Sequence, residues 1–210
     1  MADAPMPMFP LGSVLVPSAG LPLHVFEPRY RALVKDCLAG DRELGVVLIE
    51  RGSEVGGNDL RSWVGTVARI VEAAELPDGR WAVAAVGVRR LRVLRWLPDD
   101  PYPRAEVEDW PDPEPGPGYP GAVREAVVLL RRCLALAAEA GDAGAPATIE
   151  LSADPVLAAY QASVVAPLGP LDQQELLAAP TPDARVGLLA SLLREATEVL
   201  ELRLGAPGEG

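Results

Sequence analysis

The chain has 210 residues, with 30 acidic against 19 basic side chains, a formal net charge of −11 and 49% apolar residues. That length suits one or two domains, and the apolar share suffices for a buried core. The acidic balance argues against a broad phosphate-binding surface, which needs clustered Lys and Arg. No run of about 18 apolar residues is present to span a bilayer, and Met1–Phe9 lacks the basic-then-apolar order of a secretory signal. These features lead us to expect a soluble cytoplasmic protein with neither nucleic acid nor membrane as partner.

The first half alternates β-branched runs with turns. A strand is expected over Met8–Val16, interrupted by Pro10, and a second over Leu23–Phe26. Pro28 then supplies a favourable first helical residue. Tyr30, Leu33, Val34, Cys37 and Leu38 follow at the spacing of one helix face, and Gly40 closes the helix. Leu44–Ile49 reads as a buried strand and 53–59 as a polar, glycine-rich loop. Val64–Glu75 and Arg80–Trp96 flank Leu76-Pro77-Asp78-Gly79, a turn with Pro and Gly where turn geometry wants them, so a hairpin is expected. Ala105–Trp110 is the last strand. Short strands with one helix suggest a closed or nearly closed antiparallel barrel, which hides its edges.

The chain changes character near residue 112. Residues 112–121 are dense in Pro and Gly and read as a linker between a barrel domain over 1–111 and a helical subdomain over 122–205. Val123, Val127, Leu130, Leu134 and Ala137 form an apolar stripe. Asp154-Pro155 starts a helix to about Val165, Leu171–Ala178 forms a short one, and Thr181-Pro182-Asp183 opens one that runs to about Leu204 and ends at Gly205-Ala206-Pro207-Gly208. These helices should pack as a small bundle. Residues 1–111 carry 16 acids and 13 bases, and 112–210 carry 14 acids and 6 bases.

Two segments resemble a known family. Phe9-Pro10-Leu11 and Val14-Leu15-Val16-Pro17, followed by Leu21-Pro22-Leu23-His24-Val25-Phe26-Glu27-Pro28-Arg29-Tyr30, look like the opening of stand-alone substrate-binding-domain proteins of the Lon family. Val64-Gly65-Thr66-Val67-Ala68-Arg69-Ile70, Leu76-Pro77-Asp78-Gly79 and Val86-Gly87-Val88-Arg89-Arg90-Leu91 resemble the same domain's second half. Val16 stands where the family often has Phe, and Ser18-Ala19 where Gly and a bulky residue are usual. The resemblance implies an α+β fold: a PUA-like antiparallel pseudo-barrel with one helix, followed by a small helical bundle. It also implies a non-catalytic module that binds unfolded or extended polypeptides or a protein partner.

The residues disfavour a protease. No G-x-x-x-x-G-K-[ST] phosphate loop is present. Lys35 is the single lysine and lies in the first expected helix, so a serine–lysine site is not supported. Cys37 and Cys133 have no chelating spacing, and no metal or cofactor is implied. His24, the one histidine, is expected to be half-buried in a strand with its ring hydrogen-bonded. An alternative is a hydrolase using it, although no nucleophile elbow accompanies it. Glu27 is placed to cap the helix, and Arg29 to pair with it. Arg89, Arg90, Arg92 and Arg95 form the densest basic cluster. A strand splits them between two faces, which leaves a PUA-like RNA binder as a weaker alternative. Trp63, Trp81, Trp96 and Trp110 sit near strand ends; two exposed together would make a recognition surface. The candidate binding surface comprises His24, Phe26, Glu27, Arg29, Tyr30, Trp63, Trp81 and Arg90, with no catalytic residue assigned.

Overall fold

The computed structural model describes residues 5–51 and 60–205. The expected loop at 53–59 and the expected helix stop after Gly205 lie outside them. The chain divides into two compact units between Pro111 and Asp112.

The first unit contains β1 (Met6–Leu11), β2 (Gly20–Val25), α1 (Pro28–Ala39), β3 (Glu43–Arg51), β4 (Leu60–Glu75), β5 (Trp81–Leu97) and β6 (Arg104–Asp109). The sheet order is β2-β5-β4-β3-β1-β6, and β6 also pairs with β5. Five strands therefore close on themselves. β2 hangs on the first half of β5, over Trp81–Val86, while β6 takes the second half, over Leu91–Leu97. Register shifts at Val67/Ala68 and Ile70/Glu72 mark bulges that bend this long ribbon.

The barrel is not wholly antiparallel as expected, since β1 runs parallel to β3. The reason is connectivity. The chain leaves β1, passes through β2 and α1, and returns in the same direction, which is the crossover a parallel pair requires. The first strand also stops at Leu11 instead of Val16. Beyond it the chain crosses the barrel, where the Leu15 carbonyl accepts a 2.6 Å hydrogen bond from Thr66 Oγ1. Two glycines permit close approach in this region, Gly65 to the neighbouring strand β3 and Gly87 to the crossing segment. A Cβ on Gly65 would lie 2.2 Å from the Val46 oxygen, and one on Gly87 would lie 2.4 Å from the Val16 oxygen.

Helix α1 buries Tyr30, Leu33, Val34 and Cys37 against the barrel interior, and the Gly40 N–H closes it on the Asp36 and Cys37 carbonyls. Glu27 occupies the N-cap position, but its side chain does not cap, contrary to expectation. Its carboxylate is drawn instead to Arg29 Nε at 3.0 Å.

The second unit contains α2 (Tyr119–Glu139), α3 (Pro155–Val165), α4 (Pro170–Ala178) and α5 (Pro182–Gly205). Helix α2 starts inside the segment expected to be a linker. Proline is well tolerated in a first helical turn, and Tyr119 is buried as an anchor. The start of that segment is also pinned. Asp112 accepts two bonds from Arg185, at 2.8 and 2.9 Å, and one from the Tyr160 hydroxyl at 2.7 Å. Arg185 is 0% exposed, donates through Nε to the Leu176 carbonyl, and stacks 4.3 Å from the Tyr160 ring centroid. Asp154 caps α3 through the Val156 and Leu157 N–H groups, and Thr181 Oγ1 accepts from Ala184 N–H at the start of α5. Leu130, Leu134, Leu189 and Leu193 form the centre of this unit's core. Among the described residues no helix is long and apolar enough to cross a membrane.

Candidate functional site

The site follows from which way successive peptide groups point. Gly87 N–H donates to the Ala19 carbonyl. By the alternation of a strand, Leu21, Leu23 and Val25 turn their peptide groups toward β5, and Gly20, Pro22 and His24 turn theirs away. On β1, Met8 N–H donates to the Pro103 carbonyl, so Met8 and Pro10 face away from β3. Strand β6 reaches β1 only at Met6 and Pro7. Farther along, β1 and β2 each keep an edge that is unpaired among the described residues, and both border a cavity of about 190 Å³. Pro10 and Pro22 sit on these edges. Lacking N–H groups, they limit indiscriminate strand pairing while leaving carbonyl acceptors in place.

Phe9 and Tyr30 line this groove, with ring centroids 4.4 Å apart. Arg29 supports the pair from behind, 4.5 Å from the Tyr30 centroid. Phe26 stands at the rim, 58% exposed, in the turn between β2 and α1. His24, Phe26, Glu27 and Tyr30, all singled out in the sequence, therefore share one groove. His24 differs from expectation in being exposed, because even-numbered β2 residues face outward. Among the described residues its ring has no hydrogen-bond partner and no carboxylate orients it, as a catalytic base would require. Trp81 lies opposite Val25 in the β2–β5 ladder and packs on the core behind the groove.

Trp63 and Arg90 lie elsewhere. Trp63 is 54% exposed on β4, whereas Arg90 is buried with its guanidinium 4.1 Å from the Trp110 centroid. Of the four tryptophans only Trp63 is exposed, so no paired tryptophan surface forms. The groove also uses Phe9, Pro10, Leu11 and Pro22, which lie outside the candidate surface expected from the sequence. Their usable signal was a proline beside large apolar residues on each of two short strands, the signature of an edge.

Arg89, Arg92 and Arg95 of the arginine cluster are paired with carboxylates in place. Arg89 grips both Glu43 oxygens at 2.7 and 3.0 Å and also bonds Asp109. Arg92 pairs with Glu108 and Arg95 with Glu106. Arg69 adds a 2.6 Å bond to the buried Glu43, and hydrogen bonding to Arg89 holds that carboxyl below its ordinary range. Cys37 donates its thiol to the Glu43 carbonyl, and burial pushes its pKa up to about 12, so it stays protonated. Among the described residues no three His, Cys, Asp or Glu side chains gather to hold a metal ion.

A pseudo-barrel with a helical partner unit and an open groove is the architecture of a recognition domain. Residues 5–195 match the family model of the ATP-dependent protease La (LON) substrate-binding domain, and the chain belongs to that family. It is 32% identical over 213 residues to Lon protease 2 of Sorangium cellulosum, covering 94% of this chain and 25% of that protein. With Lon protease 2 of Herpetosiphon aurantiacus it shares 28% identity, covering 94% and 24%. The chain thus spans about a quarter of the length of these relatives. Among solved structures it resembles a Lon N-terminal domain protein from Xanthomonas campestris, at 28% identity and TM-score 0.60, covering 90% of this chain and 98% of that one. It shares the fold of the N-terminal domain of the Mycobacterium avium complex Lon protease, with TM-score 0.66 at 17% identity, covering 91% and 99%.

Proposed function

We propose that this chain is a cytoplasmic, non-catalytic recognition module that takes an extended apolar polypeptide segment between the edges of β1 and β2. The observation that carries this reading is the pair of unpaired edges bordering an aromatic-lined groove. A strand laid there would receive a backbone hydrogen bond from the outward N–H of His24 and donate to the outward Pro22 carbonyl, the mode in which sheet edges bind extended chains. Side-chain specificity would come mainly from burial against Phe26, the exposed aromatic of the groove, with Phe9 and Tyr30 contributing only the edges they show in its wall. Fully burying one such aromatic is worth about 1.5–3 kcal/mol. Membership in a substrate-binding family supports a polypeptide as ligand.

Binding of fluorescein-labelled apolar peptides, followed by anisotropy without ATP, tests this. Phe26→Ala should weaken binding about tenfold or more, and Trp63→Ala, on a different part of the barrel, should leave it unchanged. Equal affinity of wild type and Phe26→Ala would remove the groove as the site.

A further inference from the structure

The helical unit carries a second concavity, separate from the barrel groove. Two cavities of about 480 and 390 Å³ open on it side by side, meeting at Asp142 and Pro167, which line both, and together they make up a trough. The first is walled by Leu134, Ala137, Val165 and Ala166 from the ends of α2 and α3. The second is walled by Leu168, Leu192, Ala196 and Val199, and Val199 and Val164 leave exposed apolar surface along its length.

The charges on this trough are one-sided. Asp142, Asp172, Glu195 and Arg203 are the ionisable residues that line it. Arg203 is fully engaged, bonding both Asp142 oxygens at 2.9 and 3.0 Å and the Ala140 carbonyl at 2.8 Å. Asp172 and Glu195 have no basic partner within ion-pair distance among the described residues; Glu195 accepts only a 3.3 Å bond from the Ser191 hydroxyl. The surrounding segment 112–210 has 14 acidic against 6 basic side chains.

We infer that this trough binds a basic amphipathic polypeptide segment, with its apolar side chains on the floor and Lys or Arg against Asp172 and Glu195. Charge complementarity selects this occupant. A second copy of the same chain would bring a surplus of carboxylates to a rim that already has one, and like charges across an interface cost affinity. The inference stands apart from the barrel groove, which offers backbone edges and no free carboxylate pair.

The test uses the whole chain and two labelled peptides with identical leucine positions, one with lysine and one with glutamate on its polar face. The lysine peptide should bind at least about tenfold tighter, and the preference should collapse as the Debye length falls from about 30 to about 3 Å between 0.01 and 1 M salt. Asp172→Asn with Glu195→Gln should weaken the lysine peptide about threefold to tenfold. A Cβ on Gly144, which lines the first cavity, meets nothing within 4 Å, so Gly144→Phe adds bulk at the cavity with no clash at the Cβ. That variant should lose about tenfold in affinity with an unchanged circular dichroism spectrum. Phe26→Ala should leave lysine-peptide binding intact, which separates this site from the barrel groove. Equal binding of the two peptides, indifference to Gly144→Phe, or loss on Phe26→Ala would each overturn the inference.

Discussion

Replacing Arg185 with Met removes the one fully buried cation of the helical unit. The side chain makes two charge-assisted bonds to Asp112, one bond to the Leu176 carbonyl and a stacking contact on Tyr160. Breaking a buried pair from one side typically costs about 3–5 kcal/mol, because the remaining charge loses its partner. Asp112 retains the Tyr160 hydroxyl and a 16% exposed side chain that water can reach, which places the loss near the lower end, about 3 kcal/mol. All four tryptophans precede Asp112, so indole emission reports the barrel unit while ellipticity at 222 nm mainly reports the helices. With a urea dependence of about 1 kcal/mol/M, the 222 nm midpoint should fall by about 3 M. Adding Asp112→Leu should recover most of the loss, since an apolar pair tolerates burial that a lone carboxylate does not. A midpoint shift below about 1 M, or a double variant no more stable than Arg185→Met alone, would show that the pair is not what secures this unit.

The same logic extends to the barrel and the caps. Glu43 has a lowered carboxyl pKa when folded, so its contribution is present above the unfolded carboxylate range and is lost as pH falls through the lower folded value. Glu43→Gln should cost about 1–3 kcal/mol at neutral pH by tryptophan emission, with the deficit shrinking in acid as the parent's Glu43 protonates. Gly87→Ala and Gly65→Ala place a methyl group against backbone oxygens and should each destabilise the barrel by about 1–3 kcal/mol in urea titrations. Asp154→Ala removes the acceptor for two N–H groups at the start of α3 and should cost about 1 kcal/mol by the 222 nm signal.

Much of the fold was legible because it rests on local physics. Leu76-Pro77-Asp78-Gly79 specifies its turn through Gly79 at φ 78°, a region that favours glycine, and the N–H groups of Gly79 and Leu76 close it. Asp154 and Thr181 start helices because their side-chain oxygens accept from free N–H groups within three residues. Leu130 and Leu134 on α2, and Leu189 and Leu193 on α5, become core because helical period places each pair on one apolar face of its helix. Other features depend on pairings between residues far apart in the chain. No local pattern reveals that β1 lies parallel to β3, that Arg185 reaches back to Asp112, or that Arg89 spends its charge on Glu43 across 46 positions.

The groove shows the division most clearly. His24, Phe26, Glu27 and Tyr30 stood out in the sequence because they are consecutive in one motif, and adjacency in the chain keeps them adjacent in space. Phe9, Pro10 and Leu11 join them only because β1 pairs with β3 on one side and stops short of β2 on the other. The sequence by itself thus determined most of the elements, the caps at Asp154 and Thr181 and one wall of the site, while the ends of β1 and α2 and the fate of Glu27 were set by packing. Tertiary structure decided the opposite wall and which edges stayed open, because an unpaired edge is defined by the strand that does not arrive.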